Sequence, residues 1–491
     1  MIRSPTLIRP NSRDHTCSGN AANNPPSSKP LLPIFNFTTP MLRRLLLILA
    51  LFSCLWYQPA WAQNSHPNII FVLVDDMGYA DLGCMGAKDI KTPHIDRLAS
   101  EGLKFTDFYA NAPVCTPTRT AFMTGRWQQR VGFEWAMGFT AEQFRRVDGK
   151  LVEEPDKLAF GLPASETTLA EMLKPAGYAT GAFGKWHLGY QPEHNPTRHG
   201  FDEYFGVLLG HADYYRYNYF DGTYELRDGE KPVKAEGYLT DLINQRATKF
   251  VRKHAKEPFF MYVPYNAVHS PYQPPNRPLP AVTKENMYDG TRQDYAAMLE
   301  KIDEGMGMLL GELEKQGILD NTLIVLSSDN GGERLSDNTP LFHHKQSLYE
   351  GGIRVPCLMR WPKQLPQGKV ISQPAITMDL TATFLAAAGG KSDRPLDGIN
   401  LLPILTGRQP PQERTFCWRV NRTIRQQKAI RHGDWKYIND GGVDLLFNLK
   451  DDISERRDLG YQNQAIVTDL KARLKSWEDE MDRSPTTFLV R

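Results

Sequence analysis

The sequence predicts an α/β sandwich, a large and mostly parallel central sheet flanked by helices, followed by a small α+β unit. Two observations predict it. Short apolar, β-branched runs recur with helical segments between them, the alternation that builds parallel sheets. Two of these runs also end in pairs of oxygen-bearing side chains, and ligands of open α/β sheets gather beyond the carboxyl ends of strands.

Asn68 to Val74 (NIIFVLV) has the unbroken apolar character of a strand covered on both faces, and Asp75-Asp76 follow at once. Thr168 to Lys174 reads as a helix stopped before Gly177. Tyr178 to Phe183 and Pro258 to Val263 read as strands, and Asp294 to Gln316 as a long amphipathic helix. Thr322 to Ser328 is a further strand and ends at Asp329-Asn330. A Gly- and Pro-containing stretch, Gly389 to Pro411, leads into strand signals at Arg414 to Val420, Lys428 to Ile430, Trp435 to Ile438 and Asp444 to Asn448. A charged amphipathic helix from Gln464 to Asp482 closes the chain. The expected division is a main domain over 66–400 and a C-terminal subdomain with a short antiparallel sheet over 401–491.

Ahead of these, Met1 to Pro40 is rich in Asn, Pro and Ser without apolar period, and reads as a disordered or mis-assigned extension. Residues 41–62 place two arginines, an apolar run and Ala60-Trp61-Ala62 in the layout of a cleavable export signal; an uncleaved anchor and lipid attachment at Cys54 are the alternatives. Export predicts a periplasmic or secreted protein with no stable membrane insertion after cleavage. Beyond residue 62 the chain has 52 basic against 55 acidic residues, scattered along its length, which argues against a nucleic-acid partner. Of six cysteines, Cys84, Cys115, Cys357 and Cys417 lie beyond the signal, and they make no disulfide framework.

Asp75, Asp76, Asp329 and Asn330 offer only oxygen donors, the preference of a hard cation, so calcium is expected and magnesium is possible. An Asp-Asp pair alone would be read as solvated loop acids. The second pair, after a second apolar strand, reverses that preference.

Cys115-Thr116-Pro117-Thr118-Arg119, continued by Thr124-Gly125-Arg126, resembles the signature of the formylglycine-dependent sulfatases, C-x-P-x-R followed by T-G-R. Gly184-Lys185-Trp186-His187-Leu188-Gly189 resembles that family's lysine and histidine motif. Val268-His269-Ser270-Pro271 resembles its second histidine, and Lys345 with Tyr349-Glu350-Gly351-Gly352 its second lysine. Thr118 departs from the more usual Ser or Ala, and Gln346 stands where glycine is common. His343 and His344 precede Lys345 without an assigned part.

The resemblance implies an alkaline-phosphatase-like fold and the hydrolysis of sulfate esters. It implies that Cys115, also counted among the cation's neighbours, is oxidised to formylglycine by a formylglycine-generating enzyme during maturation. Arg119 would hold the aldehyde hydrate, His187 would take a proton as it collapses, and Lys185 and Lys345 would neutralise the sulfuryl oxygens. His269 would protonate the leaving oxygen. The tyrosine-dense stretch from Tyr204 to Tyr224, with His211 and Asp213, suits a sulfated carbohydrate, serves equally as packing, and is also compatible with an aryl sulfate. A phosphonate monoester or phosphodiester hydrolase on the same fold, and a non-catalytic protein that binds sulfated glycans, are the competing readings.

Overall fold

Five strands carry the architecture: β1 (Asn68–Val74), β2 (Ala179–Lys185), β3 (Glu203–Val207), β4 (Phe259–Pro264) and β5 (Thr322–Ser328). They lie side by side in the order β5-β1-β4-β2-β3, every neighbouring pair parallel. Antiparallel strands extend this core on both sides, Cys357–Arg360 beside β5 and Leu226–Asp228 beside β3, to make a ten-stranded sheet. The structure is a computed structural model and describes residues 66–277, 280–422, 425–483 and 486–491. The extension over 1–40 and the export signal over 41–62 lie outside the described residues.

Alternation along β1 explains the two-sided sandwich. Ile69, Phe71 and Leu73 enter one core and Ile70, Val72 and Val74 the other, so no residue of the run is left for solvent. The first core takes Phe122 from α1 (Cys115–Thr124). The second takes Ile243 and Phe250 from α2 (Leu239–His254) and Leu299 and Ile302 from α3 (Arg292–Lys315). On the first face Phe384 of α4 (Thr377–Ala387) lies edge-on to Phe122, 6.2 Å between ring centroids.

Most expected elements stand within one or two residues of their predicted bounds. The helix expected over 168–174 is shorter: Thr168 and Glu171 form a reciprocal cap, the α-helix runs Leu169–Leu173, and a 3-10 turn Lys174–Ala176 replaces its end. Pro175 explains this, since it has no N–H to continue the α pattern. The sequence reading passed over α2, although Leu239, Ile243, Ala247, Phe250 and Val251 make a buried helical stripe.

After α4 the chain forms an antiparallel sheet of β6 (Thr415–Arg422), β7 (Arg425–His432), β8 (Trp435–Asp440) and β9 (Val443–Asn448), with α5 (Gln464–Asp482) against it. Trp418, Tyr437 and Trp477 from this region share a core with Tyr109, Val114, Leu348 and Ile353. Asn64 to Arg491 is one compact unit. No helix among the described residues is long and apolar enough to cross a membrane.

Candidate active site

The carboxyl ends of the parallel strands converge. β1 delivers Asp75 and Asp76, β5 delivers Asp329 and Asn330, β2 ends in Lys185 two residues before His187, and the loop after β4 carries His269. Close packing of the strands sets local demands. A Cβ on Gly184 would stand 1.9 Å from the Pro264 carbonyl oxygen, and its φ of +135° is one that side chains rarely adopt, so glycine is required immediately before Lys185. Asp76 and His187 carry left-handed φ values of 61° and 57°, sparsely populated for non-glycine residues and often found where a side chain must be aimed.

Cys115 is the first residue of α1, and every residue of that helix is buried. Arg119 lies four residues on, hence on the same helical face. The four-residue spacing therefore brings a thiol and a guanidinium to one face of the helix. Arg119 donates from Nε and Nη2 to Asp329 Oδ2 at 3.0 and 2.8 Å and from Nη1 to the Lys185 carbonyl at 2.7 Å. Cys115 Sγ stands 3.5 Å from Asp75 Oδ1. Burial, with Asp75 next in importance, pushes the thiol above its ordinary range, so the unmodified thiol is a poor nucleophile. Thr118 closes the preceding loop, donating to Ala112 O and accepting from Ala112 N, both at 3.1 Å; any hydroxyl at this position can make these bonds. Gly125 ends α1 with φ +67° and Arg126 pairs with Glu166 at 2.8 Å, so the Thr-Gly-Arg run terminates the helix.

Asp75, Asp76 and Asp329 face Arg119, Lys185 and Lys345, all six at most 6% exposed. Lys185 pairs with Asp75 Oδ2, and Lys345 Nζ lies 2.7 Å from Asp76 Oδ2. Burial works against ionisation of Asp76, but Lys345, His269 and hydrogen bonds from Lys345 and Asn330 outweigh it and hold the carboxyl down at about 2. Asp329 is pushed up to about 6 by burial and by Asp75. Gln346 has φ +70°, which explains why glycine would serve well there. Its backbone is pinned on both sides, N–H to Pro113 O at 2.9 Å and carbonyl to Arg425 at 2.7 Å, and Lys345 reaches the cluster despite the departure.

The histidine hydrogen bonds fix their tautomers. His187 Nε2 lies 3.0 Å from the Met137 carbonyl, which only accepts, so Nε2 carries the hydrogen and Nδ1 holds the lone pair; Nδ1 is buried without a partner. Burial, then Lys185 and Arg119, hold His187 well below the usual imidazole range. His269 Nδ1 donates to Ser270 O at 2.6 Å and turns Nε2 toward Asp76 Oδ2 at 3.6 Å. Burial and Lys345 lower His269 to about 4.

The tyrosine-dense stretch divides in two. Tyr204, Tyr214 and Tyr217 are buried, and the hydroxyls of Tyr214, Tyr215, Tyr217 and Tyr224 all donate to backbone carbonyls, which is anchoring. Asp213 belongs to that half: one carboxylate oxygen accepts from Tyr215 N and Arg216 N, the other from Arg216 and Gln273, and it is 1% exposed. The substrate contact expected of Asp213 finds no support in these bonds. His211 differs, stacking on Tyr219 at 4.0 Å and lying parallel to His269 at 6.0 Å. His344 Nδ1 meets the backbone carbonyl of Lys345 at 3.0 Å, and His343 stacks on Tyr349. Sequence reasoning missed the Met137 carbonyl and Glu225, whose carboxylate accepts from Leu208 N and Leu209 N beneath the His211 loop. A backbone carbonyl leaves no residue-type signal, and a lone glutamate has no diagnostic spacing.

Asp75, Asp76, Cys115 and His269 offer ligand atoms that all lie within 4.8 Å of one another. Asp329 adjoins them through a 3.4 Å bond from Asp76 N to Oδ1, and Asn330 through its amide, which donates to Asp76 Oδ1 at 2.7 Å. Asn330 Oδ1 is buried without a partner. An orphaned amide oxygen beside three carboxylates is a donor set that fits a hard divalent cation. Two details differ from the expected ligand set. His269 stands within the group, and Asp329 has one oxygen already committed to Arg119.

Known proteins share this arrangement of elements. The sulfatase family model matches residues 67–390, and that of the N-sulphoglucosamine sulphohydrolase C-terminal region matches 340–480. N-acetylgalactosamine-6-sulfatase of Homo sapiens is 36% identical over 387 residues, covering 74% of this chain and 71% of its own. The crystal structure of Ps i-CgsB, known also in complex with k-i-k-neocarrahexaose, is 35% identical with a TM-score of 0.75 and covers 86% of this chain and 95% of that one. Phosphonate monoester hydrolase of Agrobacterium radiobacter, 19% identical with a TM-score of 0.60 over 84% of this chain and 96% of its own, shares the fold. With the expected sandwich in place, and a family model that spans its whole parallel sheet, the chain belongs to the sulfatase family.

Proposed function

We propose that this sulfatase removes sulfate from a sulfated saccharide, using formylglycine made from Cys115 and a bound calcium ion. The observation that carries the reading is the position of Cys115, 3.5 Å from Asp75 within a tight group of cation-ligating atoms and beside three buried basic side chains. N-acetylgalactosamine-6-sulfatase among the relatives and the neocarrahexaose complex among the structures support a saccharide substrate. The export signal read at 41–62 supports a periplasmic or secreted location, with a formylglycine-generating enzyme as the maturation partner.

Calcium held by Asp75, Asp76, Asp329 and Asn330 would supply positive charge where the nucleophilic oxygen and the sulfuryl oxygens gather negative charge. Formylglycine at position 115, held by Arg119, would supply as its hydrate an oxygen nucleophile for sulfur and a route to release sulfate by C–O cleavage. The chain's own residues do the rest. Arg119, fixed by Asp329 and the Lys185 carbonyl, orients the side chain at 115. Lys185 and Lys345, which pair with the carboxylates, are positioned to turn to the equatorial oxygens of the sulfuryl group, where a preorganised charge acts most strongly. His187 Nδ1, a buried lone pair, takes the proton during collapse. His269 is the acid for the leaving oxygen; the sulfate ester's own negative charge opposes Lys345, the neighbour that helps depress this imidazole.

The test uses protein co-expressed with a converting enzyme. Mass analysis of the peptide around Cys115 is expected to find the aldehyde, and aryl sulfates are expected to be hydrolysed faster than aryl phosphodiesters or phosphonates. Preference for the diester by orders of magnitude would transfer the activity to the phosphonate or phosphodiester class. An unmodified thiol with no turnover but retained glycan binding would make the protein a binder.

A further inference from the structure

The last pair in the register of β6 with β7 sets Arg422 and Arg425 directly opposite each other. Like charges in that position repel, which costs the fold some stability. Among the described residues neither guanidinium has a carboxylate within ion-pairing distance. Arg422 Nη2 donates to Thr140 O at 3.0 Å and its guanidinium lies 4.8 Å from the Trp135 ring, while Arg425 Nη1 donates to Gln346 O at 2.7 Å. Arg422 Nε is buried without a partner. Both arginines are thus held in place by backbone carbonyls and by no ion pair among the described residues.

Those carbonyls belong to loops that frame the sulfatase site. Gln346 adjoins Lys345, and Thr140 lies three residues after Met137, whose carbonyl orients His187. An aromatic path connects the same places from the other side. His269 lies over His211, His211 stacks on Tyr219, and Tyr219 packs against Phe139 at 5.4 Å, next to Thr140. Rings therefore run from His269 to Phe139, beside the Thr140 carbonyl that Arg422 holds, while Arg425 holds the loop next to Lys345.

We infer that Arg422 and Arg425 bind a second anionic group of the substrate, a sulfate or carboxylate on the sugar adjoining the one that loses its sulfate. This rests on the sulfatase reading above and narrows its substrate class to polyanionic saccharides. The arginines touch no reacting atom and act on specificity.

The experiment measures kcat/KM of the converted enzyme on two substrates, methylumbelliferyl sulfate with one anionic group and a disaccharide carrying a second sulfate. For R422Q and for R425Q the ratio of the disulfated to the aryl substrate is expected to fall about tenfold, the usual weight of a charged hydrogen bond, with KM carrying the loss. Rising salt is expected to shrink the same ratio in the wild type, because charges at a site's mouth are screened. Equal proportional losses on both substrates, or an unmoved ratio, overturn the inference. Should R422Q fail to fold by circular dichroism, R425Q and the salt series decide; a wild-type ratio insensitive to salt overturns it as well. A wild type that hydrolyses neither substrate breaks the sulfatase reading itself, whereas one that hydrolyses both without a shift in ratio on substitution breaks only the arginine assignment.

Discussion

Asp75, Asp76 and Asp329 with Arg119, Lys185 and Lys345 at the strand ends, and Asp107, Glu350 and Glu455 with Arg354, Arg431 and Lys436 where the C-terminal sheet meets the main sheet, are two clusters of three acids and three bases. In the second, acids and bases alternate. Lys436 sits between Glu350 and Glu455 at 2.7 and 2.9 Å, Arg354 bridges Glu350 and Asp107 at 3.1 and 3.0 Å, and Arg431 adds a 2.7 Å contact to Asp107. In the first, bases pair with acids too, Lys185 with Asp75, Lys345 with Asp76 and Arg119 with Asp329, but a thiol, an imidazole and an amide oxygen stand beside the acids. Asn330 Oδ1 and His187 Nδ1 are orphaned at the first cluster, whereas at the second Glu455 Oε1 lacks a hydrogen-bond partner but lies 2.9 Å from Lys436 Nζ. The inventory of charges is therefore uninformative, and the uncharged ligand atoms beside them are what separates a reaction centre from a fastening. Ion pairs satisfy both clusters internally, whereas a thiol, an imidazole and an amide oxygen gathered beside three carboxylates suit an external cation.

The contrast breaks first at Cys115. Cys115→Ala is expected to lower kcat by roughly 10^4- to 10^6-fold with the melting transition nearly unmoved, since a site group and little volume are lost. Undiminished turnover would remove the nucleophile from the proposal. Glu350→Gln is expected to do the opposite, lowering stability by about 3–5 kcal/mol while each folded molecule remains active, because a buried pair loses one partner. Its pH signature has a definite sign. Burial is outweighed by Lys436, Arg354 and Arg431, which hold Glu350 down at about 2 against an ordinary 4.5. The stability it contributes is thus complete above 4.5 and is lost as pH falls from there through about 2. Denaturant melts across that window should lose this slope in the variant; an unchanged slope would dissolve the contrast from the structural side.

Lys345→Ala sharpens the comparison on the catalytic side, with kcat/KM expected to drop about 10^2- to 10^3-fold, the usual effect of deleting one preorganised charge. Calcium at a hundred times its dissociation constant should stabilise the protein by about 2.7 kcal/mol, and chelation should remove that increment together with activity. Activity that survives exhaustive chelation would mean the gathered carboxylates serve something else. The smallest effect is expected of Asp213→Asn, about 1 kcal/mol of stability from weakened loop bonds. A loss of activity beyond tenfold there would reinstate a substrate contact.

Much of the site was legible before any tertiary information. Strand ends marked Asp75, Asp76 and Asp329 because a buried run must stop where polar residues begin, and the Cys115 to Arg119 spacing is a helical repeat that places both on one face. Lys345 was legible by resemblance, but its reach to Asp76 depended on how the backbone at Gln346 was pinned. The parts of Asp213 and of the tyrosines were open in the sequence, because a tyrosine that stacks on a sugar and one that donates to a carbonyl have the same composition.

The sequence by itself determined the sandwich, the order of its strands' chemistry along the chain, and the residue types that gather at one edge, because periodicity and local spacing are properties of neighbouring residues. Only the tertiary structure decided which acids face each other, which histidine nitrogen keeps its lone pair, and that two arginines of the last sheet bond the backbone at Thr140 and Gln346. Those outcomes depend on contacts between segments far apart in the chain, and distances of that kind are written in packing and not in any local pattern.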